Sequence, residues 1–230
     1  MVRANLNKDP DDVSKMFDAV ANRYDFLNDL LSLGRTKAWR RVVTSIIAPK
    51  PGMKILDIAA GTGSSSRPLV DKGADVIALD FSEGMLAQGR KQNRDIKFMQ
   101  GDALNLPFEE NTFDVTTISF GLRNTSDTSK ALRESFRVLK SGGRMVVVEF
   151  SQPTNRIFRT IYLRYLMRAL PTVARKVSSN PDAYVYLAES ILAWPNQNGL
   201  ADLMRAAGFG SVQWKNLTFG IVAIHTGVKP

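Results

Sequence analysis

An α/β fold, built on a mainly parallel Rossmann-like sheet with helices on both faces, is what this chain predicts. Three observations carry it. Strand-like and helical runs alternate from residue 54 to residue 150. The first strand-like run, Ile55-Leu56-Asp57-Ile58, leads into the glycine turn Gly61-Thr62-Gly63, which opens a helix. Acidic residues (Asp57, Asp80 and Asp102) stand where three successive strands should end.

Each element has its own signal. Residues 11–31 place Val13, Met16, Phe17, Val20, Tyr24 and Leu27 at helical spacing. Residues 36–48 form a second helix, with Thr36 as the expected cap and Trp39, Val42, Val43 and Ile46 as its apolar face. Pro49, Pro51 and Gly52 stop it. A strand over 54–58 is followed by a helix over 64–72, and a strand over 75–79 by a helix capped by Ser82. Residues 96–99 read as the third strand. Residues 113–120 precede a helix over 127–139, after which Ser141-Gly142-Gly143 should turn the chain into a strand over 144–150. Beyond Phe150 the rhythm changes. Helices are expected over 156–170, 183–194 and 197–207, the last ending at Gly208, and closing strands over 211–214 and 221–226. The chain therefore divides into an N-terminal helical lid or substrate segment (1–50), a nucleotide-type core (51–150), and substrate-side helices with closing strands of the same domain (151–230).

Composition narrows the function. The 230 residues are 44% hydrophobic, enough for a real core. No apolar run reaches the length of a membrane span, and residues 1–12 lack a signal-peptide core, so a cytoplasmic protein is expected. The absence of cysteine excludes disulfides, thiolate metal sites and thiolate nucleophiles, and with them the cytosine-C5 methyltransferases. The net charge is +9, and between Ser151 and Pro181 the charged residues are all basic: Arg156, Arg159, Arg164, Arg168, Arg175 and Lys176.

The glycine turn distinguishes between cofactors. A dinucleotide fingerprint asks for a third glycine, and that position is Ser66. A carboxylate ahead of the glycines, Asp57, suits the ammonium of S-adenosylmethionine. Asp80 can accept both ribose hydroxyls, Asp102 can accept the adenine amino proton, and Ser119 ends the fourth strand on the cofactor side. Asp57, Gly61, Thr62, Gly63, Asp80, Asp102, Ala103 and Ser119 are the candidate cofactor residues. No cluster of metal ligands occurs, and none is expected.

Several blocks are more specific than the glycine turn. They are Met16-Phe17-Asp18-Ala19-Val20-Ala21, Tyr24-Asp25, Asn28, Ser32 and Gly34, Trp39-Arg40, Phe120-Gly121-Leu122-Arg123-Asn124, Tyr184, Tyr186-Leu187, Ser190-Ile191, and Leu217-Thr218 with Gly220 to His225. On these blocks the sequence resembles, over nearly its whole length, the ubiquinone/menaquinone biosynthesis C-methyltransferases of the UbiE/MenG type. The resemblance implies a class I S-adenosylmethionine-dependent methyltransferase fold with a seven-stranded, mainly parallel sheet. It also implies methylation of a ring carbon of a prenylated quinol. Demethylmenaquinol, in the last step of menaquinone synthesis, is the favoured substrate; a methoxy-polyprenyl-benzoquinol of ubiquinone synthesis is the alternative. By the same resemblance, cofactor contacts fall on Thr62, Asp80, Asp102, Ala103 and Ser119. Ser64 departs from the acidic residue many relatives carry after the glycine turn, so no side-chain contact is expected there.

Methylating a ring carbon requires the quinol to share or lose a phenolic proton. Arg123 is the candidate cation for a developing phenolate, since a guanidinium cannot easily serve as a base. Glu149, at the end of the fifth strand, is the candidate base, against the plainer reading of a loop-holding residue. Tyr24 and Asn28 share a helix face and can form part of a lid. With Asn124, beside Arg123, they are the candidate substrate residues. His225, the single histidine, reads as structural. The apolar side of 156–170 with its arginines predicts transient contact with an anionic membrane surface, on the inner face of the cell membrane. A homodimer is left open. Two other classes compete: a nucleic-acid methyltransferase, prompted by the charge, and a non-catalytic scaffold. The stretch after the fourth strand, Ser119-Phe120-Gly121-Leu122-Arg123, lacks the Pro-Pro-aromatic motif of amino-group methyltransferases, so no nucleic-acid partner is expected.

Overall fold

The structure is a computed structural model and describes residues 8–18, 34–165, 167 and 182–230. Its centre is a seven-stranded sheet in the order β3-β2-β1-β4-β5-β7-β6. The strands are β1 (Lys54–Ile58), β2 (Asp75–Asp80), β3 (Lys97–Gln100), β4 (Phe113–Ser119), β5 (Leu139–Phe150), β6 (Gly210–Leu217) and β7 (Val222–Val228). The first five run parallel, and β7 enters antiparallel between β5 and β6.

Alternation along the strands splits the core in two. Leu56, Ile58 and Ile118 face one side, where Leu132 of α5 (Thr128–Val138) and Leu200 and Met204 of α8 (Gln197–Ala206) cover them. Ile55, Val76, Val115 and Val146 face the other side, beneath Trp39, Val43 and Ile47 of α2 (Arg35–Ile47) and Leu69 of α3 (Arg67–Val70). Central strands buried on both faces explain the continuous apolar runs in the sequence. The remaining described α-helices are α1 (Pro10–Asp18), α4 (Glu83–Gln92), α6 (Arg156–Arg164) and α7 (Asp182–Ala193). The expected Ser82 cap is present, its Oγ accepting the Met85 N–H at 3.1 Å.

Three expectations need correction. Thr36 does not cap α2. The helix starts one residue earlier from Gly34, which sits at φ 72 and makes no side-chain cap bond. The helix expected over 64–72 shrinks to Arg67–Val70. Pro68 has no N–H for the preceding turn, and the Ser65 and Ser66 hydroxyls are drawn to Asp57 instead. The turn expected at Ser141-Gly142-Gly143 is a bulge inside one long strand. Pairing with β4 slips between Phe113 and Val115, and Gly142 and Gly143 exchange backbone bonds with Lys229 rather than folding back. The expected helical segments around residues 19–31 and 168–170 lie outside the described residues.

Candidate active site

One cavity of about 610 Å³ opens at the carboxyl ends of β1, β2 and β4. This is where strand order reverses from β1 toward β2 on one side and toward β4 on the other, the usual ligand crevice of a parallel sheet.

Its first half is shaped by backbone. After β1 the chain turns through Ala59, Gly61 and Gly63, all at positive φ. At Gly63 (φ 79), a Cβ would come within 2.7 Å of the Phe98 ring, so glycine is required by conformation and by space together. Asp80 ties this turn to α4: Oδ2 accepts the Gly61 N–H at 2.8 Å and Oδ1 the Ser82 N–H at 2.9 Å. Asp102 stiffens its own loop by accepting the Leu104 N–H at 2.8 Å. Asp57 lies beneath the turn and is fully buried. Its Oδ2 accepts Ser65 and Ser66 Oγ–H at 2.8 and 2.6 Å, whereas Oδ1 has no hydrogen-bond partner among the described residues. Burial pushes the Asp57 carboxyl up to about 6. Burial also raises Asp80.

The second half is shaped by side chains. Phe120 follows β4 at φ 60, and its ring packs between Trp39 and Phe150, with centroids at 5.9 and 5.0 Å. Gly121 follows, where a Cβ would stand 2.4 Å from that of Ala59. The chain then forms a short 3-10 turn, Leu122–Asn124, that carries Arg123. Arg123 is only 4% exposed yet lines the cavity. It donates to Phe120 O at 2.5 Å and to Glu149 Oε1 at 2.8 Å, and its guanidinium stands 5.2 Å from the Phe150 ring centroid. Glu149 also accepts the Phe150 N–H at 2.8 Å and the Arg123 N–H at 3.3 Å. Burial pushes its carboxyl up while Arg123 pulls it down. Asn124 Oδ1 accepts from Tyr186 Oη at 3.2 Å.

Gly61, Thr62, Asp80, Asp102, Ala103, Ser119, Arg123 and Asn124 thus line one cavity. Asp57, Gly63 and Glu149 are not in its wall. They support the residues that are. Tyr24 and Asn28 lie outside the described residues. His225 is buried away from the cavity, with Nε2 at 2.9 Å from Gln197 O, and burial lowers its pKa. Among the described residues no group of metal-binding side chains occurs.

Sequence reasoning missed Lys8 and Tyr162, which line the same cavity. Lys8 carries no local signal: it precedes α1 and reaches the site only through the fold, with its ammonium 5.8 Å from the Trp194 ring centroid. Tyr162 falls by spacing on the apolar side of its helix, and that spacing says nothing of what its hydroxyl meets.

A glycine turn under a parallel sheet edge, acidic strand ends around a crevice and an antiparallel seventh strand define the class I methyltransferase fold. A solved S-adenosylmethionine-dependent methyltransferase from Thermotoga maritima shares this fold (TM-score 0.67, 23% identity, over 94% of this chain and 99% of that one). The chain belongs to the ubiE/COQ5 methyltransferase family, whose pattern matches residues 4–229. It is 58% identical to the demethylmenaquinone methyltransferase of Streptomyces avermitilis, over 100% of this chain and 99% of that protein. It is 56% identical to that of Paenarthrobacter aurescens, over 100% of this chain and 91% of that protein.

Proposed function

We propose that this chain methylates a ring carbon of demethylmenaquinol, with S-adenosylmethionine as methyl donor. The observation that carries the reading is the two-ended cavity: carboxylates and backbone amides at one end, and aromatic walls around a single buried guanidinium at the other. The names of the full-length relatives support the substrate. The residues present fit the donor. Asp80 and Asp102 stand at strand ends for hydroxyl and amino groups, and the orphaned Asp57 Oδ1 supplies negative charge beneath the turn. When bound, S-adenosylmethionine supplies an electrophilic methyl group on a sulfonium, whose sulfur leaves neutral.

The chain's own part is to make the ring carbon nucleophilic and to hold it in line. Arg123 stabilises charge developing on the ring oxygen, in a cavity walled by Trp39, Phe120 and Phe150 where water screens it little. Glu149 is a positioning residue. It accepts from the guanidinium and from two backbone amides, and it is not in the cavity wall, so it fixes Arg123 rather than taking a proton from substrate. Asp80 holds the glycine turn and α4 at one spacing, which sets the donor's depth.

The cavity mouth supports contact with a lipid surface. Ile157 and Phe219 stand 75% and 77% exposed, Phe158 and Phe219 pack edge to face at 5.2 Å, and Arg156, Arg159 and Arg164 share their helix. No described helix is long and apolar enough to cross a membrane. The chain reads as a cytoplasmic protein that collects its substrate at the membrane face.

The test is methyl transfer from labelled S-adenosylmethionine to reduced demethylmenaquinol, with a methoxy-prenyl-benzoquinol in parallel. Label in the naphthoquinol is the expected result. Label in the benzoquinol alone moves the substrate to the ubiquinone branch, and label in neither removes the quinol reading.

A further inference from the structure

The apolar end of the cavity holds a buried polar atom without a partner among the described residues. Tyr162, on α6, is 7% exposed, and its hydroxyl makes no hydrogen bond to any described residue although it lines the cavity. A buried hydroxyl without a partner costs stability, and phenylalanine would fill nearly the same volume without that cost. Such groups call for a ligand or a solvent partner. The charges of Arg123 and Glu149 are close enough to act on this hydroxyl. Lys8 lines the same cavity, and the Arg123 charge acts on its ammonium too. Arg123 and Lys8 set against the buried Glu149 carboxylate favour an oxygen carrying negative charge here.

We propose that Tyr162 is a substrate ligand: its Oη donates a hydrogen bond to a ring oxygen of the reduced quinol, beside Arg123 and Lys8, and so orients the ring toward the methyl donor. This rests on the quinol reading of the cavity. Burial keeps the Tyr162 proton in place well above neutral pH, so the group acts as a donor and not as a base. Against a neutral diol the bond supplies modest affinity. Against a phenolate it strengthens, so its loss appears more in kcat than in KM.

The test uses the full chain with S-adenosylhomocysteine and two ligands of one shape, 2-methylnaphthalene-1,4-diol and 2-methylnaphthalene. Tyr162→Phe is expected to weaken the diol about 3- to 10-fold and leave the hydrocarbon unchanged. With demethylmenaquinol, its kcat should fall about 10- to 100-fold at unchanged affinity for S-adenosylmethionine. Equal affinity of wild type and Tyr162→Phe for the diol, where the wild type still prefers diol over hydrocarbon, overturns the role of Tyr162. A wild type that binds the diol no better than the hydrocarbon overturns the quinol reading itself, and this inference with it.

Discussion

The two ends of the cavity are made in different ways. The donor end is written in a few residues close together in sequence: a glycine turn, one carboxylate after β2 and one after β3. Its geometry is held by backbone amides, as when Asp80 grips Gly61 and Ser82. The quinol end draws single side chains from α2, the turn after β4, α6, α7 and the 3-10 turn Thr218–Gly220, and holds them through a buried ion pair and rings packed at a tilt. A methyl donor common to many reactions can be served by a fixed scaffold, whereas the acceptor needs parts that can be exchanged. The difference predicts that damage at the donor end is felt as lost affinity, and damage at the quinol end as lost turnover.

Removing Arg123 should sharpen that contrast most. Arg123→Ala is expected to lower kcat about 10²- to 10³-fold with S-adenosylmethionine affinity nearly unchanged, read by steady-state kinetics beside titration of the donor. It also leaves Glu149 buried without its cation, costing about 3–5 kcal/mol in stability. The paired change Arg123→Met with Glu149→Gln should recover much of the melting temperature and none of the turnover. Recovery of both would make Arg123 purely structural.

The donor end should show itself next, through pH. The Asp57 carboxyl is held at about 6 against an ordinary 3.8, so between those values the folded chain keeps a proton that the unfolded chain releases. Stability of the donor-free chain should therefore be greatest below about pH 4 as far as this group is concerned, and should fall by about 3 kcal/mol as pH rises to about 6. Asp80 and Glu149, also raised, push in the same direction. Asp57→Asn should flatten that part of the profile in chemical denaturation, and an unchanged slope would clear Asp57. Asp80→Ala should weaken S-adenosylmethionine by about 1–3 kcal/mol with the quinol-end ligands unaffected. Calorimetry that finds equal affinity would break the division between the ends. The smallest effect belongs to the rim: Ile157→Ser should lower partition onto anionic vesicles about threefold in a sedimentation assay and leave turnover of a short-tailed substrate as it was.

The same contrast decides what could be read in advance. The sheet and the turn at its first strand end are legible, because strand alternation and Gly61-Thr62-Gly63 are local patterns. The errors at 64–72 and at Ser141-Gly142-Gly143 arose where a distant partner overrode local preference, as Asp57 does with Ser65 and Ser66, and Lys229 with the two glycines. Arg123, after the fourth strand, and Glu149, at the end of the fifth, are both legible as candidates, but their pairing is not. It depends on the parallel register of β4 and β5, which places Ser119 against Val148. Lys8 and Tyr162 could not be found in sequence, because which cavity a side chain lines is a property of the folded surroundings alone.

One bond has a wider consequence. Trp39 Nε1 donates to Thr218 Oγ1 at 2.9 Å, next to Phe219, and the same indole packs on Phe120, whose carbonyl receives Arg123. The rim of the cavity and its cation are therefore joined by one run of contacts, from Thr218 to the indole, to the Phe120 ring and to the guanidinium. Trp39→Phe, which keeps a ring but drops the N–H, should loosen that run: kcat is expected to fall while S-adenosylmethionine affinity, read by calorimetry, stays as it was.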